Sequence, residues 1–357
     1  MVGELTLVGI DFEPIYQNAL EKVRESRRKI SRRTLLIDFV DDSVVIAQCR
    51  IRNRQYIELS PVDITLLPEG VIEKGCPTDS AEMADNIKQI IKQRGIVAHR
   101  AAGILPIDNF ITMVLCVENK MTSKDLLSSA EINKGIHLPY PRAQADVDII
   151  DCTIKEVAAN GYRSVMIVAT QRNYTDKIVD TLKQSGLSCT FVDCGITAPL
   201  RIIETDLMTA QKEEEILAIN LCRGYSNCIV VSNGGPKKVI RLAPIRDYPR
   251  GNDEGSEGNE YFPLTPEDLF SLAREIKRYA KEQALAPKRI YLYGPNSKHE
   301  GLDELLEEAV NIEVKIIRPT THPAVAKIEI PEKTNSQLLC GVVGMALKCL
   351  KLEEAQS

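Results

Sequence analysis

Apolar runs at residues 35–39, 43–49 and 55–59, split by short polar breaks, predict three strands in a meander. The spacing changes at 81–94. Met83, Ile87, Ile90 and Ile91 fall on one side and charged residues on the other, which predicts an amphipathic helix. A short buried strand is expected at 101–105. Strands at 110–117, 146–151 and 164–169, with helices at 123–134 and 174–185, then give a β-α-β-β-α block. Ser123 is the expected N-cap of the first of these helices, and Gly186 the stop of the second.

The second half repeats the alternation. A strand at 189–193 and a helix at 199–208 are followed by strands at 228–231 and 237–242 around an SNGGP turn. Residues 246–263, rich in Gly, Pro and acid, predict a mobile loop. The helix at 265–282 has a Thr265 cap, Pro266 in its first turn and Glu267 and Asp268 at its positive end. A strand at 290–293 runs into Gly294, a polar loop reaches Gly301, and a helix and a strand at 314–317 follow. Glycine at a strand end lets backbone approach a ligand closely, although many such turns are only structural. The helix at 337–350 carries Gly341, Gly344 and Ala346, small enough for close packing.

These blocks divide the chain into five parts. Residues 1–33 are an N-terminal extension, with a helix at 13–33 that ends in a basic cluster. Residues 34–105 with 187–222 are the core of a first lobe. Residues 106–186 are a subdomain inserted into it. Residues 223–335 make a second lobe, and 336–357 a C-terminal helix and tail. A chain of 357 residues has room for two cores.

Composition narrows the function. A net charge of −5, no Trp and 5% aromatics disfavour nucleic-acid binding. No run of 18 apolar residues suggests a membrane span, and the acidic N-terminus is unlike a signal peptide. The ten Cys form no CxxC and the four His are dispersed, so a zinc site is not expected; the Cys read as reduced, small hydrophobes.

Several segments, in order, resemble one family. They are LPEGVIEKG (67–75), VENKMTSKDLLSSAEINKGIHLPYP (117–141), VMIVATQRNYTDKIVDTLKQSGLSCTFVD (165–193), LFSLAREIKRYAKEQ (269–283) and GVVGMALK (341–348). Over about residues 34–351 the chain resembles the PilM-type proteins of type IV pilus assembly, which are actin-like and related to FtsA. The resemblance implies an α/β, two-lobed actin-like fold with an inserted subdomain. It implies a scaffold at the cytoplasmic face of the inner membrane, reaching the membrane through a PilN-like partner whose short N-terminal segment it binds. Homo-oligomers are compatible with this class.

The same resemblance implies an ATP and Mg²⁺ site, and here its loops depart from the pattern. DFVDDSV (38–44) keeps Asp38 and Ser43 but has Val40 for a Gly, with Asp41 and Asp42 facing the phosphates. GIDFEP (9–14) is a rival placement of that loop, without the following strand. VSNGGPKK (231–238) has Ser232 for an Asp and keeps Gly234 and Gly235. Lys237 there can reach a phosphate or simply end a solvated hairpin. Gly294 and Gly301 match the adenosine loop. Glu275 and Arg278 match positions that reach ribose and base, or form a charged helix face. Nucleotide binding is therefore expected to be weak or absent, hydrolysis reduced or lost, and no catalytic residue is assigned. An active ATP-hydrolysing switch and an FtsA-like membrane-associated filament remain the alternatives. The chain's end, KCLKLEEAQS, is too short and acidic for an FtsA-like anchor.

Overall fold

Buried strands must pair their backbone groups, and the apolar runs of the first third pair with one another. The computed structural model describes residues 33–129, 137–152, 161–210, 214–222, 225–232, 235–242, 265–331 and 334–355. The expected helix at 13–33 lies outside them except for Arg33, which is in a strand; the loop at 246–263 and Gly234 also lie outside them. Arg33–Val40 (β1), Ser43–Arg52 (β2) and Tyr56–Leu66 (β3) form the antiparallel meander. A small hairpin of Ile72–Glu73 (β4) and Cys76–Pro77 (β5) leads to the helix Ser80–Gln93 (α1). Asp79 caps α1 by accepting from the N–H groups of Ala81 and Glu82. Arg100–Leu105 (β6) then lies parallel to β1.

The inserted sheet comprises Ile111–Glu118 (β7), Ala145–Asp151 (β8) and Tyr162–Gln171 (β9), in the order β7-β9-β8. Its helix, Ser123–Ser128 (α2), differs from expectation. Thr122 is the N-cap, in a reciprocal capping box with Asp125, because a carboxylate three residues after Thr122 can return to its N–H. Ser129 turns to extended backbone and ends α2, and residues 130–134 of the expected helix lie outside the described residues.

Arg172–Gln184 (α3) was expected to close the inserted block. It packs instead on the six-stranded sheet, with Ile178 and Leu182 in one core with Leu35, Ile37, Met83 and Ile87. Ser188–Cys194 (β10) completes that side beside β6. The expected helix at 199–208 is two short helices, Thr197–Ile202 (α4) and Glu204–Thr209 (α5), broken where Ile203 leaves helical geometry at φ −103°, ψ 15°.

Glu215–Cys222 (β11), Tyr225–Ser232 (β12) and Gly235–Leu242 (β13) begin the second sheet. It continues through Pro266–Glu282 (α6), Pro287–Tyr293 (β14), Leu302–Val310 (α7) and Glu313–Ile316 (β15), in the order β13-β12-β11-β14-β15. β11 moves the expected lobe boundary. Residues 215–222 belong to this sheet because their apolar side chains bury both faces: Ile216 and Ala218 face the first lobe, while Leu217 and Ile219 face α6 and α7.

The chain then returns. Val325–Ile328 (β16) pairs parallel with β3, closing a six-stranded sheet β10-β6-β1-β2-β3-β16. The second lobe therefore ends before β16 rather than at 335. Cys340–Ala355 (α8) covers the face of this sheet opposite α1 and α3, with Val342, Val343, Met345 and Ala346 fully buried. Among the described residues no helix is long and apolar enough to cross a membrane.

Candidate functional site

Two cavities hold the site chemistry. The larger, of about 990 Å³, lies between the lobes. One wall is the β1–β2 turn. Asp38 lies in the buried stretch of β1, next to its last buried residue, Phe39; Asp41 takes a left-handed φ of 51°, and Val40, Asp41 and Asp42 reach the cavity. The first turn of α8 supplies Cys340 and Gly341. The second lobe contributes Asn220 and Cys222 from the end of β11, and Tyr293 and Gly294 from the end of β14.

Gly294 is obligatory there. Its φ is 90°, and a Cβ would stand 2.2 Å from Asn220 Oδ1. Asn335 Nδ2 donates to the Pro295 carbonyl at 2.8 Å, tying this strand end to the approach to α8. Burial pushes the Asp38 carboxyl up to about 7, against a hydrogen bond from the Phe39 backbone and with a further push from Asp41. Burial likewise drives the Tyr293 phenol well above its ordinary range, and its hydroxyl has no hydrogen-bond partner among the described residues.

Of the residues expected from sequence, Asp38 and Gly294 line this cavity. The others do not. Ser43 is buried at the start of β2, register partner of Val40. Ser232 and Gly235 close the β12–β13 hairpin, where a Cβ on Gly235 would lie 2.3 Å from the Cys152 carbonyl oxygen. Gly235 is thus packed against the inserted subdomain, and neither it nor Ser232 lines the cleft. Lys237 Nζ lies 3.5 Å from Glu215 Oε1. Arg278 donates to Glu275 at 2.9 Å and Glu282 at 2.8 Å, a charged face of α6. Gly301 precedes α7 at φ 75°.

The second-lobe hairpin that reaches the cleft is β11–β12, one hairpin earlier than expected. Its readable signal was Asn220, a lone amide in an apolar run four residues before Gly224. Residues 223 and 224, between those strands, lie outside the described residues.

A Mg²⁺-nucleotide is the group an actin-like cleft implies, and the volume is adequate. The charged side chains that line it are Asp38, Asp41, Asp42 and Glu69 against Lys74 among the described residues, and the 40–43 turn has no glycine. A triphosphate needs N–H donors and cations, and it is repelled by carboxylates. No group of three His, Cys, Asp or Glu among the described residues is arranged to hold a metal. This donor set does not fit a tightly held triphosphate.

The smaller cavity, of about 600 Å³, is a groove lined by β8 and β10. Among the described residues each is an edge strand: β8 pairs with β9 alone and β10 with β6 alone. The floor is a fixed charge cluster. Asp193, 1% exposed, accepts from Arg201 Nη1 at 2.5 Å, Arg201 Nη2 at 3.1 Å and Lys348 Nζ at 2.9 Å. The Lys348 ammonium sits 4.6 Å from the centre of the Phe191 ring. Thr170 Oγ1, buried in the wall, has no hydrogen-bond partner among the described residues.

Two sheets closing on a cleft, with a small sheet inserted in the first lobe, define an actin-like protein. The chain belongs to the family described as "Type IV pilus assembly protein PilM", whose sequence model matches residues 37–234. A solved PilM–PilN type IV pilus biogenesis complex matches it at 17% identity, covering 90% of this chain and 99% of that one, with a TM-score of 0.70. The ethanolamine utilization protein EutJ from Carboxydothermus hydrogenoformans matches at 10% identity, covering 94% and 99%, with a TM-score of 0.47. No curated protein sequence matches the chain.

Proposed function

We propose that the chain is a cytoplasmic scaffold of type IV pilus assembly. Its groove between β8 and β10 takes the short N-terminal segment of a PilN-like inner-membrane protein, and through that partner it sits at the membrane. The observation that carries this reading is the pair of edge strands lining one groove. An extended peptide gains main-chain hydrogen bonds from such an edge, and side-chain pockets supply specificity. Family membership and the likeness to a PilM–PilN complex support the choice of partner. In this reading the inter-lobe cleft keeps weak nucleotide binding at most, with reduced or lost hydrolysis, because carboxylates occupy its first-lobe wall.

Fluorescence anisotropy of a labelled peptide, taken from the cytoplasmic segment of the PilN-like protein encoded with this chain, tests the proposal. Binding should persist without Mg-ATP and should weaken with Phe191→Ala or Lys348→Ala. A folded protein that binds no peptide in either condition overturns it.

The second reading is an ATP-hydrolysing switch, favoured by the size of the cleft and by the Gly294–Asn220 closure. Phosphate release abolished by Asp38→Ala would establish that reading instead.

A further inference from the structure

One end of the six-stranded sheet carries a rim of arginines. The register sets Arg33 of β1 directly opposite Arg50 of β2, and Arg100 of β6 beside Thr34 of β1. Arg52 ends β2, and Arg54 follows in the turn to β3 at a left-handed φ of 57°. Arg52 pairs with Glu58 at 2.8 Å. Arg33, Arg50, Arg54 and Arg100 make no ion pair among the described residues. Arg33 Nε is buried and has no hydrogen-bond partner among them. Burial above all, and then the Arg52 and Arg33 charges, hold the Arg50 guanidinium below its ordinary range, against Glu58. Like charges set opposite one another across a strand pair work against the sheet. In a chain of net charge −5 this is a local concentration of cations, and its counter-charge must come from outside it.

The rim is not a pocket, since none of these arginines lines either cavity. Two apolar groups stand among them. Tyr56, 44% exposed, is the register partner of Arg52. Val97, 41% exposed, is held to β2 by its N–H, which donates to Gln48 Oε1 at 2.9 Å. Guanidinium groups with an exposed phenol ring and an aliphatic side chain between them suit the headgroup layer of a bilayer. There the cations meet phosphates, and an amphipathic ring settles at the boundary. The sequence adds charge at the same place. Residues 24–32, RESRRKISR, bring Arg24, Arg27, Arg28, Lys29 and Arg32 and enter the sheet at Arg33. Nine residues span about 30 Å at most, so these charges stay tethered to the rim.

We propose that this arginine rim docks the protein directly on an anionic phospholipid bilayer, by a contact separate from the peptide groove. The sheet also sets the orientation. Arg33 and Arg50 stand at one end of the β1–β2 pair, and Asp41 and Asp42 in the turn at the other. The strand between them is about 25 Å long. An anionic surface attracts the first end and repels the second, so the inter-lobe cavity faces away from the membrane.

The full chain is sedimented, without any peptide, with phosphatidylcholine vesicles and with vesicles that also contain phosphatidylglycerol. The outcome is therefore independent of the groove between β8 and β10. The chain should pellet with the anionic vesicles only, and less as salt is raised. Arg54→Gln and Arg100→Gln change exposed side chains and should each weaken binding about fivefold. Lys277→Gln, on α6 of the second lobe, should change nothing. The chain has no Trp, so Tyr56→Trp places a single reporter on the rim. Its fluorescence should be quenched by brominated lipid. Phe270→Trp, at a position 69% exposed on α6, should not be quenched. A folded chain that ignores anionic vesicles overturns the proposal. Binding that both arginine variants leave unchanged does so too, as does equal quenching at 56 and 270. Capture of polyglutamate or duplex DNA without capture of vesicles would assign the rim to another partner and overturn it as well.

Discussion

Asp38 and Gly341 meet where β1 and α8 enter the inter-lobe cavity. A Cβ on residue 341 would stand 1.9 Å from Asp38 Oδ2. The carboxyl group therefore occupies the space that any side chain at 341 would need. The glycine at the start of α8 is a packing requirement set by an acid on the opposite element, and it brings the helix close enough to close the cavity floor.

Gly341→Ala should destabilise by about 1–3 kcal/mol, the usual cost of forcing extra volume into a packed site. Gly344→Ala should cost more. Its Cβ would meet the Ala198 carbonyl oxygen at 2.4 Å, and backbone cannot rotate away as a carboxyl can. In an Asp38→Ala background the Gly341→Ala cost should shrink, with a coupling of about 0.5–3 kcal/mol expected for residues in contact. Urea unfolding of the four proteins checks this, and equal costs in both backgrounds would contradict the contact.

The same burial makes Asp38 a source of pH dependence. Its carboxyl titrates near 7 in the folded chain, against an ordinary value of 3.8. Between those values the native state holds a proton that the unfolded state has released. Stability from this group is therefore full below about pH 4, is lost as pH rises, and changes no further above about 7. Asp38→Asn carries no such proton. The stability difference, wild type minus variant, should fall by an amount on the order of a few kcal/mol between pH 4 and 8. Denaturant midpoints across that range measure it, and a difference that rises with pH would reverse the assignment.

Regular elements with strong end signals were legible in the sequence. The α6 capping box of Thr265 and Asp268 and the β1–β2–β3 meander fall where their residue patterns place them. β11 was not legible, because EILAINLC buries both faces and so shows no alternation. β16 is four residues long and is defined by pairing with β3, a partner more than 200 residues away in the chain. The site followed the same logic. Gly294 stood out because a glycine follows directly on an apolar strand, and Asp38 because DFVDDSV keeps the family's acid near the end of β1. The second-lobe residues were misplaced because the Gly-Gly turn of 233–236 is a stronger hairpin signal than the turn after Asn220. The groove was invisible, since its Asp193, Arg201 and Lys348 come from three separate elements.

That groove floor supplies the last prediction. Asp193 holds two cations in a nearly buried position, and Arg201 also donates to the Gly344 carbonyl at 3.2 Å and Thr197 Oγ1 at 2.8 Å. Asp193→Asn leaves Arg201, 15% exposed, beside Lys348 with no neutralising charge. Breaking a buried pair from one side costs about 3–5 kcal/mol, since the stranded charge is desolvated. Arg201→Gln should cost less, because Lys348 still neutralises Asp193. The double variant should lose less than the sum of the two, because removing both charges leaves neither stranded. Thermal and urea unfolding give the stability cycle, and the labelled-peptide assay gives the functional one. Arg201→Gln should weaken peptide binding while the chain stays folded, because the groove loses its fixed floor. Strict additivity of the two substitutions would show that Asp193 and Arg201 do not act as a pair.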